Sequence, residues 1–234
     1  MGIAENARIV LNKVAEAALR AGRKPEDVAV IGVTKTVGPD SVIQMARGGI
    51  NIAGENRVQE LLAKREALAD TLPDLSWHMI GHLQSNKVKH AVASSDMIHS
   101  VDSMKLAALI DKQASEIGKV MDVLVEVNIA KEESKYGIFP ERVFDFVCGA
   151  LGFGNINIRG LMCVAPFVDN PEENRPHFQK MADILNDING NLFRNGKRLG
   201  VLSMGMTLDY EVAVEQGATM VRVGTAIFGA RDYI

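Results

Sequence analysis

Lys35 is the residue of this sequence whose type and position best suit covalent chemistry. It follows an apolar run in the stretch VIGVTKT (30–36), a pattern that predicts a buried strand. Burial disfavours an ammonium ion, so a lysine here can become a neutral amine, and a neutral amine forms a Schiff base with an aldehyde. The structural alternative is that Lys35 extends its charge from the strand end into water.

Two turns near the other end of the chain are candidates for binding phosphate. LSMGMT (202–207) and VRVGTAIFG (221–229) each place a glycine and a hydroxyl residue where a helix is predicted to begin. Exposed backbone N–H groups at such starts favour anions. The candidate phosphate ligands are Ser203, Gly205, Gly224 and Thr225. The alternative is that these glycines serve only to make tight turns.

Arg222 is the third candidate. It lies between Val221 and Val223, so strand alternation turns its side chain away from theirs. A guanidinium that points into a protein interior needs partners. Glu126 or Asp122 would satisfy it structurally, whereas an acceptor ring nitrogen would satisfy it functionally. An aldehyde, a phosphate and a ring nitrogen are together the binding groups of pyridoxal 5′-phosphate (PLP).

The elements that must position these residues alternate along the chain. Apolar runs predict eight strands, each followed by a stretch of helical periodicity. The predicted strands are Val28–Thr34, Ile50–Ala53, Ser76–Gly81, Met97–Val101, Met121–Ile129, Ile156–Val164, Leu199–Met204 and Thr219–Gly224. With an extra N-terminal helix over Ala4–Ala21, this order predicts an α/β protein with a (β/α)8 TIM-type barrel. A doubly wound sheet is the alternative, but no GxGxxG motif follows the first strand.

Composition narrows the classes of function. The 234 residues are expected to form one domain, and a net charge of -3 gives no reason to expect nucleic acid or an anionic membrane as partner. No apolar run is long enough to span a membrane, and the two cysteines lie in no metal-binding pattern, so we predict no metal site. A cytoplasmic, monomeric protein is the expectation.

Several motifs resemble those of one known family, the pyridoxal phosphate homeostasis proteins, which are single-domain relatives of the barrel domain of alanine racemase. The matching stretches are VTKT (33–36), AGENRVQE (53–60), WHMIGHLQSNK (77–87), IHSVDS (98–103), VEVNI (125–129), IRGLMCVAP (158–166) and residues 202–233. The resemblance therefore covers nearly the whole chain. Two positions depart from the family pattern: Thr207 stands where serine is expected, and Tyr136 stands where a small residue is expected.

The resemblance implies a role for each candidate. Lys35 would form the covalent aldimine with PLP, and Arg222 would face the pyridine nitrogen. Asn56 and His78 would line the ring and its O3′ side. For His78 the alternative is a buried histidine with a satisfied hydrogen bond, and for Asn56 it is a helix cap.

The resemblance also implies that the protein is not an enzyme. A racemase needs a second base, which the two-domain racemases take from a β-rich domain, and this sequence stops at Ile234 after its eighth barrel unit. An arginine at the pyridine nitrogen also leaves the ring unprotonated and a poorer electron sink. We therefore expect no catalytic residues and a role in buffering PLP, with delivery to apo PLP-dependent enzymes as a possible extension. The alternatives are a weak single-domain amino-acid racemase, a Schiff-base aldolase and a signalling module.

Overall fold

The centre of the molecule is a closed barrel of eight parallel strands. The structure is a computed structural model that describes residues 2–193 and 198–230. The strands pair in chain order, and β8 closes the barrel against β1. They span Ala29–Val33 (β1), Ile52–Glu55 (β2), Ser76–Met79 (β3), Met97–Val101 (β4), Met121–Val127 (β5), Ile156–Cys163 (β6), Val201–Ser203 (β7) and Met220–Val223 (β8). The predicted (β/α)8 barrel is confirmed.

Helices cover the outside of this barrel. They span Ile3–Arg20 (α1), Pro39–Arg47 (α2), Val58–Leu68 (α3), Val88–Ser94 (α4), Met104–Glu116 (α5), Val143–Ala150 (α6), Arg175–Leu192 (α7), Tyr210–Glu215 (α8) and Thr225–Phe228 (α9). Short 3-10 turns cover Pro25–Asp27, Ser85–Lys87, Pro140–Arg142 and Pro171–Asn174. Within the described residues, no helix is both long enough and apolar enough to cross a membrane.

The strands are apolar because both of their faces are buried. One set of alternating side chains packs against the helices, and the other set points into the barrel. The inward set includes an apolar cluster of Met97, Leu124, Met162 and Val201, separate from the larger core between strands and helices. Polar residues that share the barrel interior with this cluster must therefore find their partners among one another.

The extra helix α1 packs against α8 and α9, next to the seam where β8 meets β1. Arg20 at its C-terminus donates to Glu215 at 2.9 Å and to Glu211 at 3.1 Å. Asn6 near its N-terminus donates to the carbonyl of Ile227 at 3.0 Å. These contacts tie the start of the chain to its last barrel unit.

The predicted strand boundaries differ from the observed ones by up to two residues, and one difference matters for the site. Strand β2 was predicted over Ile50–Ala53 but spans Ile52–Glu55. The shift brings Glu55 into the strand, where it is fully buried. Sequence periodicity missed this because a carboxylate is not expected inside an apolar strand unless it has a partner.

Candidate functional site

Lys35 lies just past the C-terminal end of β1, in the turn that leads to α2, and it is half-buried. It lines a cavity of about 510 Å³ at the mouth of the barrel. The other residues that line the cavity are Val33, Pro166, Phe167, Val168, Asn174, Met206, Thr207, Leu208, Asp209, Arg222, Gly224 and Thr225. The cavity therefore brings together an amine, a guanidinium and the hydroxyl-bearing turns after β7 and β8.

The turn that carries Lys35 is held from one helix. Lys64 of α3 donates to the carbonyl oxygen of Thr34 at 2.6 Å, and Glu60 of α3 accepts the N–H of Thr36 at 2.8 Å. Lys64 also pairs with Glu55 at 2.6 Å. Burial raises the pKa of Glu55, while the hydrogen bond from Lys64 acts in the opposite direction. We call Glu55, Glu60 and Lys64 the α3 clamp.

The turns after β7 and β8 supply the polar end of the cavity. Gly224 donates its N–H to the hydroxyl of Thr207 at 3.3 Å, so the two turns contact each other. Asp209 accepts the N–H of Met206 at 2.7 Å and the side-chain amide of Asn174 at 2.8 Å. These bonds fix the Met206–Asp209 turn and leave the hydroxyl groups of Thr207 and Thr225 beside the cavity.

Gly205 shapes this turn and is not part of the cavity lining. It has φ of 90°, a conformation that other residues rarely adopt. A Cβ here would lie 2.5 Å from the Cβ of Ala213 and 2.9 Å from the Cα of Tyr210. Only glycine lets the turn pass this close to α8.

Arg222 is held by a chain of buried hydrogen bonds that crosses the barrel. Its Nη1 donates to the carbonyl oxygen and to the hydroxyl of Ser203, both at 2.7 Å, and its Nη2 donates to the carbonyl oxygen of Cys163 at 2.8 Å. The Ser203 hydroxyl lies 3.0 Å from Nδ1 of His99. Nε2 of His99 lies 2.9 Å from Nδ1 of His78. We call Arg222, Ser203, His99 and His78 the barrel chain.

Both imidazoles of the barrel chain are neutral. Burial lowers the pKa of His78 to about 4. Burial, and after it the proximity of His78 and the charge of Arg222, lowers the pKa of His99 well below its usual range. Arginine can only donate, so the Ser203 hydroxyl accepts from Arg222, and we assign its own proton to Nδ1 of His99, the tautomer that lets the chain continue to His78. His99 then donates from Nε2 to His78, and each contact has one donor and one acceptor.

Comparison with known proteins identifies the family. The family model described as "Alanine racemase, N-terminal domain" matches residues 9–232. A pyridoxal phosphate homeostasis protein of Aquifex aeolicus is 42% identical over 233 residues, with 100% of each chain covered. One of Pseudomonas aeruginosa is 38% identical, with 99% of this chain and 96% of the relative covered. The chain belongs to the pyridoxal phosphate homeostasis protein family.

Solved structures agree with this assignment. PipY of Synechococcus elongatus, determined with PLP bound, matches with a TM-score of 0.82 and 36% identity, over 97% of this chain and 100% of that chain. An alanine racemase of Clostridium difficile shares the fold, with a TM-score of 0.71 and 17% identity, over 98% of this chain and 57% of that chain. The family assignment and the barrel therefore rest on independent comparisons.

Four of the eight site residues predicted from the sequence line the cavity. They are Lys35, Arg222, Gly224 and Thr225. Among the described residues, Arg222 forms no ion pair with Glu126 or Asp122: it donates three N–H groups to backbone carbonyls and Ser203, and Asp122 pairs with Arg159 at 2.8 Å. Both of the carboxylate partners considered for Arg222 from the sequence are therefore wrong.

The other four predicted site residues do not line this cavity, and their roles towards a cofactor stay predictions. Ser203 is fully buried, and its hydroxyl is taken by Arg222 and His99; Thr207 lines the cavity in its place. Gly205 serves the turn. His78 is 4% exposed and contacts His99, as its structural alternative required.

Asn56 is the fourth of these residues. It is exposed, it does not line the cavity, and it is not the helix cap considered from the sequence, since Arg57 occupies the N-cap of α3. Its backbone instead packs close to the turn after β3: a Cβ on Gly81 would lie 2.5 Å from the carbonyl oxygen of Asn56. Gly81 thus permits the turn after β3 to contact the turn after β2.

The tyrosines bear on whether the site holds a second catalytic base. Tyr136 stacks on His82 with ring centroids 3.6 Å apart, and His82 in turn lies 3.4 Å from Asp102. Tyr210 is buried in α8, and burial raises its pKa to about 12. Neither tyrosine lines the cavity, and Tyr233 lies outside the described residues.

Glu126 is a buried carboxyl group that sequence analysis considered only as a partner of Arg222. It is 8% exposed, and its Oε2 has no hydrogen-bond partner among the described residues. Burial, and to a smaller extent Asp102, raises the pKa of Glu126 to about 7. This acid therefore changes its charge near neutral pH, inside a barrel that also contains the Arg222 cation.

Proposed function

We propose that this chain binds pyridoxal 5′-phosphate reversibly through the amine of Lys35 and contributes to PLP homeostasis in the cell. The observation that carries the proposal is the cavity in which Lys35, Arg222 and the hydroxyl-bearing turns meet. The relatives named above and the PLP-bound PipY support the same cofactor. When bound, PLP supplies an aldehyde that condenses reversibly with a primary amine.

The residues of the cavity fit the groups of this cofactor. Lys35 provides the primary amine. Thr207 and Thr225 provide hydroxyl donors, and Thr225 at the start of α9 provides a backbone N–H; phosphate oxygens accept from both kinds of donor. Arg222 uses three N–H groups on protein acceptors and has five in all, so N–H groups remain for a ring nitrogen.

A role in buffering and delivering PLP agrees better with these residues than amino-acid turnover does. Arg222 keeps its proton, so a ring nitrogen facing it stays unprotonated and withdraws electrons weakly. Of the described residues that line the cavity, only Lys35 offers an amine, and the carboxylate of Asp209 is taken by Met206 and Asn174. The racemase alternative requires a second acid–base group on the opposite face of the substrate.

The test is an absorbance spectrum of the purified protein with and without added PLP, followed by borohydride reduction and peptide mapping. We expect a band at ~420 nm, the region of a lysine-bound PLP, and a reduced adduct on Lys35. Lys35→Ala should lose both, and Lys105→Ala, which removes an exposed lysine on α5, should lose neither. A wild-type protein without band or adduct would overturn the proposal.

Two further measurements separate the alternatives. Protection of Lys35 by sugar phosphates without cofactor absorbance would indicate an aldolase. Exchange of the α-proton of D- or L-alanine in deuterated water by the PLP-loaded protein would indicate a racemase. Recovery of activity by an apo PLP-dependent enzyme, faster with the loaded protein than with the same amount of free PLP, would support delivery.

A further inference from the structure

We propose that Glu60 and Lys64 of the α3 clamp are positioning residues that set the direction of the Lys35 side chain. They contact the peptide groups on both sides of Lys35 and come from a single helix. The inference rests on the proposed function, because it concerns how the amine of Lys35 is presented to an aldehyde.

The contacts of the clamp bracket Lys35. Lys64 Nζ lies 2.6 Å from the carbonyl oxygen of Thr34, the residue before Lys35. Glu60 Oε2 lies 2.8 Å from the backbone nitrogen of Thr36, the residue after it. Lys64 and Glu60 are joined to each other at 3.3 Å. Movement of the Lys35 turn away from α3 would break both bonds to the backbone.

The backbone at Thr36 needs such support. Its φ of 63° lies in the left-handed region, and Lys131 is the only other non-glycine residue with positive φ in the described part of the chain. A β-branched residue is a true outlier there. Such a conformation is strained and persists only where the surroundings enforce it. The hydrogen bond from the N–H of Thr36 to Glu60 is a charge-assisted contact on the strained residue itself.

The clamp is anchored in the barrel. Lys64 is 7% exposed and Glu55 is fully buried, and they pair at 2.6 Å. The hydroxyl of Thr34 also donates to Glu55 Oε1 at 2.6 Å. Glu55 belongs to β2, which pairs with β1. Hydrogen bonds therefore join the turn, the neighbouring strand and α3 around Lys35.

This arrangement separates two tasks of the site. The phosphate and ring contacts come from β7 and β8, whereas the direction of the amine is set at β1, β2 and α3. A covalent bond needs the amine to approach the carbonyl carbon in a narrow range of directions, and loss of that orientation weakens bond formation. Contacts that do not involve the amine should be unaffected by loosening of the clamp.

The test compares two ligands and two variants on the same helix. Glu60→Ala removes the acceptor for Thr36, and Glu66→Ala changes an exposed glutamate of α3 as a control. PLP carries the aldehyde, and pyridoxine 5′-phosphate has the same ring and phosphate with an alcohol in its place. We expect the Kd for PLP to rise about tenfold in Glu60→Ala, and the Kd for the alcohol to stay within about twofold, since it makes no covalent bond.

A second variant tests the backbone strain. Glycine adopts positive φ without penalty, so adding Thr36→Gly to Glu60→Ala should restore most of the affinity for PLP. Lys64→Met removes the other backbone contact of the clamp. Its ligand binding is measured at a temperature where circular dichroism shows that the variant is folded. It should weaken PLP binding and spare the alcohol, as Glu60→Ala does.

The outcomes distinguish this inference from the proposed function. Equal weakening of both ligands in Glu60→Ala, or no change in either, would overturn the positioning role while borohydride still traps Lys35 in the wild-type protein. Failure of Thr36→Gly to restore binding would overturn the strain argument. Failure to trap Lys35 in the wild-type protein would overturn the proposed function and this inference together.

Discussion

The two halves of the site hold a basic side chain in opposite ways. Around Lys35, the α3 clamp uses charged groups, with Lys64 paired to Glu55 and Glu60. Around Arg222, the barrel chain uses neutral groups, namely backbone carbonyls, a hydroxyl and two uncharged imidazoles. One half fixes a turn from outside the barrel, and the other fixes a strand residue from inside it.

The difference follows from what each half must hold. The turn at Lys35 is strained, so it needs strong, charge-assisted bonds to its backbone, and these reach it from the outward face of β2 and from α3. Arg222 is a cation in the barrel interior, and a charged imidazole there would repel it. Neutral acceptors can bind a guanidinium without cancelling its charge, which leaves that charge available to a ligand.

The largest predicted effect is loss of Lys64. Lys64→Met leaves Glu55 buried without its cation, and removing one partner of a buried pair destabilises by roughly 3–5 kcal/mol. Urea unfolding followed by circular dichroism measures this change. The double variant Lys64→Met with Glu55→Gln should recover more than half of the loss, because no unpaired charge remains. A loss below about 1 kcal/mol in the single variant would mean that the clamp behaves as a surface ion pair. It would contradict the view that strong charged contacts hold the turn at Lys35.

Interruption of the barrel chain should have the next largest effect. His99→Leu removes the partner of His78 and one of the two partners of the Ser203 hydroxyl, both of which are buried, and should lower the free energy of unfolding by roughly 3–4 kcal/mol. It should also shift the absorbance band of bound PLP, because His99 no longer orients the Ser203 hydroxyl that accepts from Arg222. His90→Leu, at an exposed position on α4, is the control and should leave both quantities unchanged. An unshifted band in His99→Leu would contradict the positioning of Arg222 by this chain.

The smallest expected effect is the pH dependence of the free energy of unfolding that Glu126 contributes. Glu126 lies in the barrel that also contains Arg222. Its pKa is raised from 4.5 to about 7 by burial, so its neutral form is the stable one in the fold. The stability this confers is fully present below pH 4.5 and is lost as the pH rises through 7. Glu126→Gln, which mimics the neutral acid, should match the wild type near pH 4.5 and exceed it at pH 8 by roughly 2–3 kcal/mol.

The control for that measurement is Glu133→Gln, which changes an exposed glutamate in the loop after β5. Thermal melts at several pH values, with each variant compared with the wild type at the same pH, remove the contribution of other groups such as His78. That histidine acts with the opposite sign, since its lowered pKa gives stability that is present above pH 6.5 and lost as the pH falls towards 4. A constant difference for Glu126→Gln between pH 4.5 and 8 would contradict the burial of this carboxyl group.

Part of the site was predictable from local pattern. Lys35 and Arg222 could be found because each interrupts or ends an apolar strand, and the closed barrel brings their strands side by side. Gly224 and Thr225 follow β8 directly, so their position at the mouth depends only on where that strand ends. These four residues share one cavity because neighbouring parallel strands end at the same edge.

Other residues could not be assigned from pattern alone. Ser203 and Thr207 both carry hydroxyl groups in LSMGMT, and only the register of β7 decides which one faces the interior and which one the cavity. His99 lies in the run MIHSV, where nothing local indicates its contact with a serine 104 residues later. Lys64 was one of several charged residues on α3, and its burial depends on Glu55 lying inside β2.

The sequence by itself determined the order of strands and helices and the position of Lys35 at the end of β1, because both depend on hydrophobic periodicity and on chain order. Tertiary structure alone decided which polar residues are buried together. A buried carboxylate, imidazole or lysine is stable only when a partner from another element satisfies it, and that partner is fixed by barrel closure and strand register. The α3 clamp and the barrel chain are both products of that closure.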